Sequence, residues 1–364
     1  MQQDGPFADC GRGPQPDLAL NTVYVVGGQQ EYLVPVFADK RRPYGYNKGI
    51  ILKLNLSSET AETVCEYVSP EESRAKTGSM LFKAATVKDN LLYLCTTTEI
   101  LTFSLPVLQR IRYVSHPMFN DVHHVTPTPY GTVAVANSGL DMVVELSEEG
   151  RILKLLNTLG EDPWSRFSPD TDYRPLDTKP HKSHPNFVFF IDDEMWATRF
   201  HQQDAISLSD PARRIDIAVG RPHDGLVRDG NVYFTTTNGF IVIANKETLK
   251  VEERIDLNSM HQHGRPLGWN RGLLFDGRKL WVGFSRLRPT KWKENVRWVK
   301  RGLKWRLKQL LPEKWGGDAA LLKRTLKSEM PTRLACYDLL TRKCIREINL
   351  EDHGVSAVYT LFTA

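Results

Sequence analysis

The chain has 364 residues, 41% of them hydrophobic and 25% charged. That is ample material for one large core and excludes global disorder. No run of about 18 apolar residues could cross a bilayer as a helix. The net charge of +5 belongs to one segment near the C-terminus, which argues against nucleic acid as a partner of the whole protein.

The opening MQQDGPFADCGRGPQPD is polar, rich in Gly and Pro, and lacks the apolar stretch of an export signal. It reads as a flexible tail over 1–19, and the protein is expected in the cytoplasm. A β-rich region follows over 20–364. Its β-branched and aromatic runs, bounded by turn residues, predict strands in groups. The first group spans 21–68 with NTVYVVGG, EYLVPVFA, GIILKLNL and TVCEYV. The second covers 80–114, the third 119–159, the fourth 184–219, the fifth 223–257 and the sixth 269–349. The last strand, VSAVYTLF at 355–362, has no downstream partner and is expected to complete the first group.

A phrase recurs through these groups: an apolar stretch, a turn at Gly, Asn or Asp-Gly, then a β-rich run. It reads KAATVKDNLLYLCTTT at 83–98, HVTPTPYGTVAVA at 124–136, HDGLVRDGNVYFTTTN at 223–238 and NRGLLFDGRKLWV at 270–282. Repeats of about 40–50 residues with several short strands each predict an all-β fold, a single β-propeller. The count gives six blades, with seven left open. Closing the ring with strands from both ends removes exposed sheet edges.

Two insertions interrupt the period. Residues 161–183 are polar and without alternation, and read as a long loop or lid at a channel mouth. Residues 289–331 carry twelve Lys/Arg against four Asp/Glu, a local net of +8, and half of the chain's eight tryptophans. On a helical wheel Val299, Leu303, Leu307 and Leu310 share one face, with Lys and Arg opposite. This basic helical segment could pack on the propeller, lie on an anionic membrane surface or meet an acidic partner.

The five cysteines show no Cys-x-x-Cys spacing. They are expected as reduced thiols, although Cys336 and Cys344 flank a hairpin and could face each other.

Propeller channels are lined by the innermost strand of every blade, so imidazoles remote in sequence can meet there. With Gly131, Gly230 and Gly277 aligned, His124, His223 and Asn270 stand at the same place, seven residues upstream. His124, His184, His223 and His353 are the candidate ligands of a divalent transition metal, Fe or Zn, since neutral imidazole suits both. His123 and His124 are adjacent and point to opposite faces, so one of them reaches a given pocket. His123, Asp224 and Arg271 are the candidate catalytic groups. Asp224 could orient a histidine or form an Asx turn, and Arg271 could clamp an anionic group of a small-molecule ligand or form an ion pair between blades. No phosphate-binding G-x-x-x-x-G-K-[ST], dinucleotide G-x-G-x-x-G, H-E-x-x-H or G-x-S-x-G motif occurs, so those chemistries have no support.

The blade pattern over 20–364 resembles six-bladed propellers of the NHL, strictosidine-synthase-like and arylsulfotransferase-like groups. FNDVHHVTPTPYGTVAVANSGLDMVVELSEEGRIL at 119–153 is similar to the arylsulfotransferase segment in which histidines precede a turn and a strand. That resemblance implies a sulfuryl-accepting role for His123 or His124. The strings HPNF, PHDG, TTTNG and GWNRGL resemble a bacterial propeller family with no assigned activity. Three readings stay open: a metal-dependent enzyme or ligand-binding protein, metal-free group transfer through histidine, and a non-catalytic interaction scaffold.

Overall fold

A computed structural model describes residues 20–30, 45–75, 80–261, 265, 267–287 and 330–364. The 1–19 tail, the EYLVPVFA stretch and all but the last two residues of the 289–331 insertion lie outside the described residues.

The chain forms six four-stranded antiparallel sheets. Blade 1 holds β1 (Thr22–Gln29), β2 (Lys48–Asn55) and β3 (Ala61–Tyr67). Blade 2 holds β4 (Thr86–Lys88), β5 (Leu91–Cys95), β6 (Ile100–Ser104) and β7 (Gln109–Val114). Blade 3 holds β8 (Val122–Pro127), β9 (Val133–Asn137), β10 (Met142–Leu146) and β11 (Ile152–Asn157). Blade 4 holds β12 (Pro185–Ile191), β13 (Glu194–Arg199), β14 (Asp204–Ser207) and β15 (Arg214–Asp216). Blade 5 holds β16 (Leu226–Arg228), β17 (Asn231–Thr235), β18 (Phe240–Asn245) and β19 (Val251–Asp256). Blade 6 holds β20 (Trp269–Asp276), β21 (Lys279–Ser285), β22 (Arg333–Asp338) and β23 (Lys343–Asn349). The last strand, β24 (Ala357–Phe362), pairs with β1 and supplies the fourth strand of blade 1. The fold is therefore the six-bladed, all-β propeller that the repeat predicts, closed by strands from both ends. Among the described residues the helical elements are 3-10 turns of three or four residues.

Local chemistry explains the hairpins. Asp229 and Gly230 both have positive φ, at 48° and 78°, and join β16 to β17 with Arg228 opposite Asn231. Two left-handed residues make the tight turn whose twist matches that of the flanking strands. Middle strands such as β9 (VAVAN) are buried along their whole length, while outer strands such as β7 and β23 are partly exposed. Continuous apolar runs therefore mark strands covered on both faces.

The core is divided among the interfaces between blades. Val25, Ile50 and Leu52 of blade 1 pack on Trp281 and Leu334 of blade 6. Tyr24 and Ile51 pack on Leu92 and Leu101 of blade 2. Similar clusters join blades 2 and 3, 3 and 4, 4 and 5, and 5 and 6. The result is a ring in which every sheet is covered by its two neighbours. No helix among the described residues is long and apolar enough to cross a membrane.

Candidate functional site

The first strands of the six sheets, β4, β8, β12, β16, β20 and β24, surround the axis. Residues in or beside all six line one cavity of about 690 Å³. At the end where these strands begin, one side chain from each blade joins a common cluster. They are Tyr359 of β24, Lys83 ahead of β4, His123 of β8, His184 ahead of β12, His223 ahead of β16 and Arg271 of β20. Lys83 Nζ lies 3.4 Å from His123 Nδ1. The His123 ring is 4.6 Å from that of His184 and 6.4 Å from that of His223, centroid to centroid. Arg271 Nη2 donates to His223 Nε2 at 3.2 Å, and its guanidinium lies 4.3 Å from the Tyr359 ring centroid and 5.1 Å from that of Trp269.

Among the described residues, the Asp121 carboxylate lies within 4.0 Å of ring nitrogens of His123 and His184. Its Oδ1 accepts from Lys83 Nζ at 2.6 Å and lies 3.7 Å from His123 Nδ1. Its Oδ2 lies 4.0 Å from His184 Nδ1. One ligand atom from each of Asp121, His123 and His184 falls within 4.8 Å of the others, a geometry that could hold a metal ion. Burial alone would raise the Asp121 carboxyl, but Lys83 and the neighbouring histidines outweigh it and hold the group well below the usual carboxylate range. Burial, then Lys83, drives His123 down to about 3. Burial also holds His184 well below the ordinary histidine value and lowers His181. Near neutral pH the cluster therefore offers an anionic carboxylate and neutral imidazoles, the protonation states that ligate metals.

A chain of hydrogen bonds assigns the proton on His184. Asn120 Nδ2 donates to the carbonyls of Tyr173 and Leu176 at 2.6 and 2.9 Å, which leaves its Oδ1 as an acceptor. Thr178 Oγ1 donates to that oxygen at 2.9 Å. Having one proton, the hydroxyl must accept from His181 Nε2, 3.1 Å away. Neutral His181 then carries a lone pair on Nδ1, so the 2.6 Å contact between the two Nδ1 atoms is a bond donated by His184.

Backbone geometry holds the group in place. Asp141 Oδ1 accepts the backbone N–H groups of Ser183 and His184, both at 2.8 Å, and Oδ2 accepts that of Lys182 at 2.9 Å. His184 and Asp121 both have positive φ, 55° and 47°. Non-glycine residues in that region are strained and collect at functional sites. Tyr359 and His123 are the extra residues at register shifts in β24 and β8. A bulge of this kind re-aims a side chain.

The structure sorts the residues named from sequence. His123, His184, His223 and Arg271 all lie at the mouth. His223 presents its Nε2 to Arg271, a pure donor, so that lone pair is engaged. His124 does not join the metal-compatible group. Its Nδ1 accepts from Val188 N at 3.1 Å, its Nε2 faces Thr86 Oγ1 at 3.0 Å, and its ring stacks on Phe187 with centroids 3.5 Å apart. Aligning on glycine was one residue out because the hairpins differ. Blade 3 turns between Pro127 and Val133, and blade 5 between Arg228 and Asn231. Counted from the mouth-side rungs Val122–Asn137 and Pro222–Thr236, it is His123 that matches His223. His353 lies on the 3-10 turn Glu351–His353 and belongs to no metal-compatible group among the described residues.

Asp224 lies deeper, on the channel wall. Its Oδ2 accepts from Gly272 N at 3.0 Å and from Thr235 Oγ1. It thus ties blade 5 to blade 6 and forms no described bond to a histidine. Gly272 has φ 74°, and a Cβ there would meet Thr360 Cα at 3.1 Å, so this approach needs glycine. Sequence reasoning missed Lys83 and His181. A lysine ahead of a strand and a histidine inside a polar insertion carry no periodic signal.

No protein-family model matches the sequence, and no functionally curated protein matches it. Among solved structures, a protein of unknown function from Bacteroides caccae aligns with TM-score 0.54 and 14% identity, over 94% of this chain and 98% of that chain. A chain of the nidogen–laminin complex aligns with TM-score 0.51 and 10% identity, over 93% of this chain and 97% of that chain. At these identities the likeness shows the propeller fold alone.

Proposed function

We propose that the channel mouth is a metal-dependent small-molecule site. Asp121, His123 and His184 would hold one divalent transition ion such as Fe or Zn, and Lys83 and Arg271 would receive an anionic group of the ligand. The observation that carries this reading is the approach of one ligand atom from each of Asp121, His123 and His184 to within 4.8 Å. Two imidazoles and a carboxylate suit such ions and leave coordination positions open. Imidazole can move its proton between nitrogens, so either ring atom can ligate once the metal-free hydrogen bonds are exchanged. Lys83 and Arg271, both buried, are cations suited to a carboxylate, phosphate or sulfate group on the ligand.

Elemental analysis followed by Zn(II) and Fe(II) titration of the metal-stripped protein tests the reading. One equivalent of bound metal should be lost in Asp121→Asn and in His184→Ala. Absence of binding in the wild type, or unchanged binding in both variants, would sink it. Group transfer through His123 is a second reading, supported by the 2.7 Å contact of its Nδ1 with the Asp121 carbonyl. With Nδ1–H donated there, Nε2 is left as the nucleophilic nitrogen. A covalent adduct trapped on His123 in metal-free protein would select this alternative.

A further inference from the structure

A second cluster of ligand-type side chains lies away from the mouth, between blades 5 and 6. Cys344 and Glu347 stand three residues apart on β23, a spacing that in a regular strand sends side chains to opposite faces. Here Tyr337 pairs with Cys344 while its neighbour Cys336 pairs with Arg346, so Ile345 is the extra residue. The bulge brings Cys344 and Glu347 to the face of Tyr337. Cys336 takes the opposite face and packs with Trp281 and Leu334.

His261 comes to the same place from blade 5, directly after the 3-10 turn Leu257–Met260. Its Nε2 lies 2.8 Å from Tyr337 Oη, and its Nδ1 lies 3.9 Å from Glu347 Oε2. Arg333 Nε donates to the other carboxylate oxygen, Oε1, at 2.6 Å. One ligand atom from each of His261, Cys344 and Glu347 lies within 4.8 Å of the others.

We propose that His261, Cys344 and Glu347 form a zinc-binding site that links blade 5 to blade 6. Thiolate, imidazole and carboxylate together match the donor preferences of Zn(II), and three protein ligands leave one tetrahedral position for water. Tyr337 orients the imidazole and Arg333 the carboxylate, the supporting contacts that metal ligands need. The partial exposure of Cys344 and Glu347 gives the ion a path in. Burial, and then Glu347, pushes the Cys344 thiol up to about 11.

Titration of the reduced full-length protein with Co(II) alone tests the site. A thiolate-to-cobalt charge-transfer band in the near ultraviolet should appear, saturate at one equivalent in Asp121→Asn protein, where the mouth no longer competes for the ion, and vanish on adding Zn(II). The mouth group has no sulfur and cannot give this band, so Asp121→Asn should retain it. Cys344→Ser should abolish it, and His261→Ala should weaken cobalt binding by about tenfold or more. Should His261→Ala fail to fold, Glu347→Gln is expected to show the same loss. A missing band in the wild type, or one that survives Cys344→Ser, overturns the proposal.

Discussion

Nδ1 of His184 lies 2.6 Å from Nδ1 of His181, and the direction of that hydrogen bond is set three bonds away by the amide of Asn120. His184 is thereby held with its proton on Nδ1. Thr178→Val removes the acceptor for His181 Nε2–H and frees both rings to exchange tautomers. In metal-free protein, two-bond proton–nitrogen NMR correlations should show the Nδ1–H form of His184 in the wild type and a mixture in the variant. Identical patterns in both would show that the relay does not govern the ring.

His124 and His184 should separate stability from binding. His124→Ala leaves the buried Val188 N–H without its acceptor, at a cost of about 1–3 kcal/mol, and adds a cavity beside Phe187. Denaturant melts should register that loss while metal binding at the mouth persists. His184→Ala should do the reverse and lose the metal. A His124→Ala variant of wild-type stability would contradict the contacts assigned to this ring.

Asp224 should make a pH-dependent contribution of unusual sign. Burial is the main cause that raises its carboxyl from 3.8 to about 6. A folded-state value above the unfolded one means that the folded protein binds the extra proton. Its stabilising effect is complete below the unfolded value and is lost as pH rises through about 6. The full shift corresponds to about 3 kcal/mol. Both hydrogen bonds reach one oxygen, Oδ2, so Asn can keep them through Oδ1. The stability of wild type minus that of Asp224→Asn should therefore fall between about pH 4 and about pH 7, as read from urea unfolding. A flat difference would show that Asp224 titrates normally.

Truncation after Asp352 should abolish folding. It removes β24, with buried Val358, Tyr359, Leu361 and Phe362, and leaves β1 as an open edge. Burial of each such side chain contributes about 1.5–3 kcal/mol, so the sum rivals the 5–15 kcal/mol, roughly, of a whole domain. A soluble truncated protein with an unchanged melting temperature would refute closure by this strand.

The sequence by itself determined the propeller and its closure and favoured six blades over seven, a count that the six sheets of the structure settle. Those features rest on short-range physics: β-branched runs form strands, Asp-Gly pairs turn them, and an unpaired C-terminal strand must find an edge. The grouping of His123, His184 and Arg271 was legible in part, because these residues stand near the starts of inner strands. Which side chains meet was decided only in three dimensions. Hairpin turns of different length moved the match from His124 to His123, and a left-handed backbone at Asp121 accompanies the approach of its carboxylate to the histidines. The bulge at Ile345 brought Cys344 and Glu347 to one face. A single inserted or unpaired residue reverses the direction of a side chain without altering the apolar pattern that marks the strand.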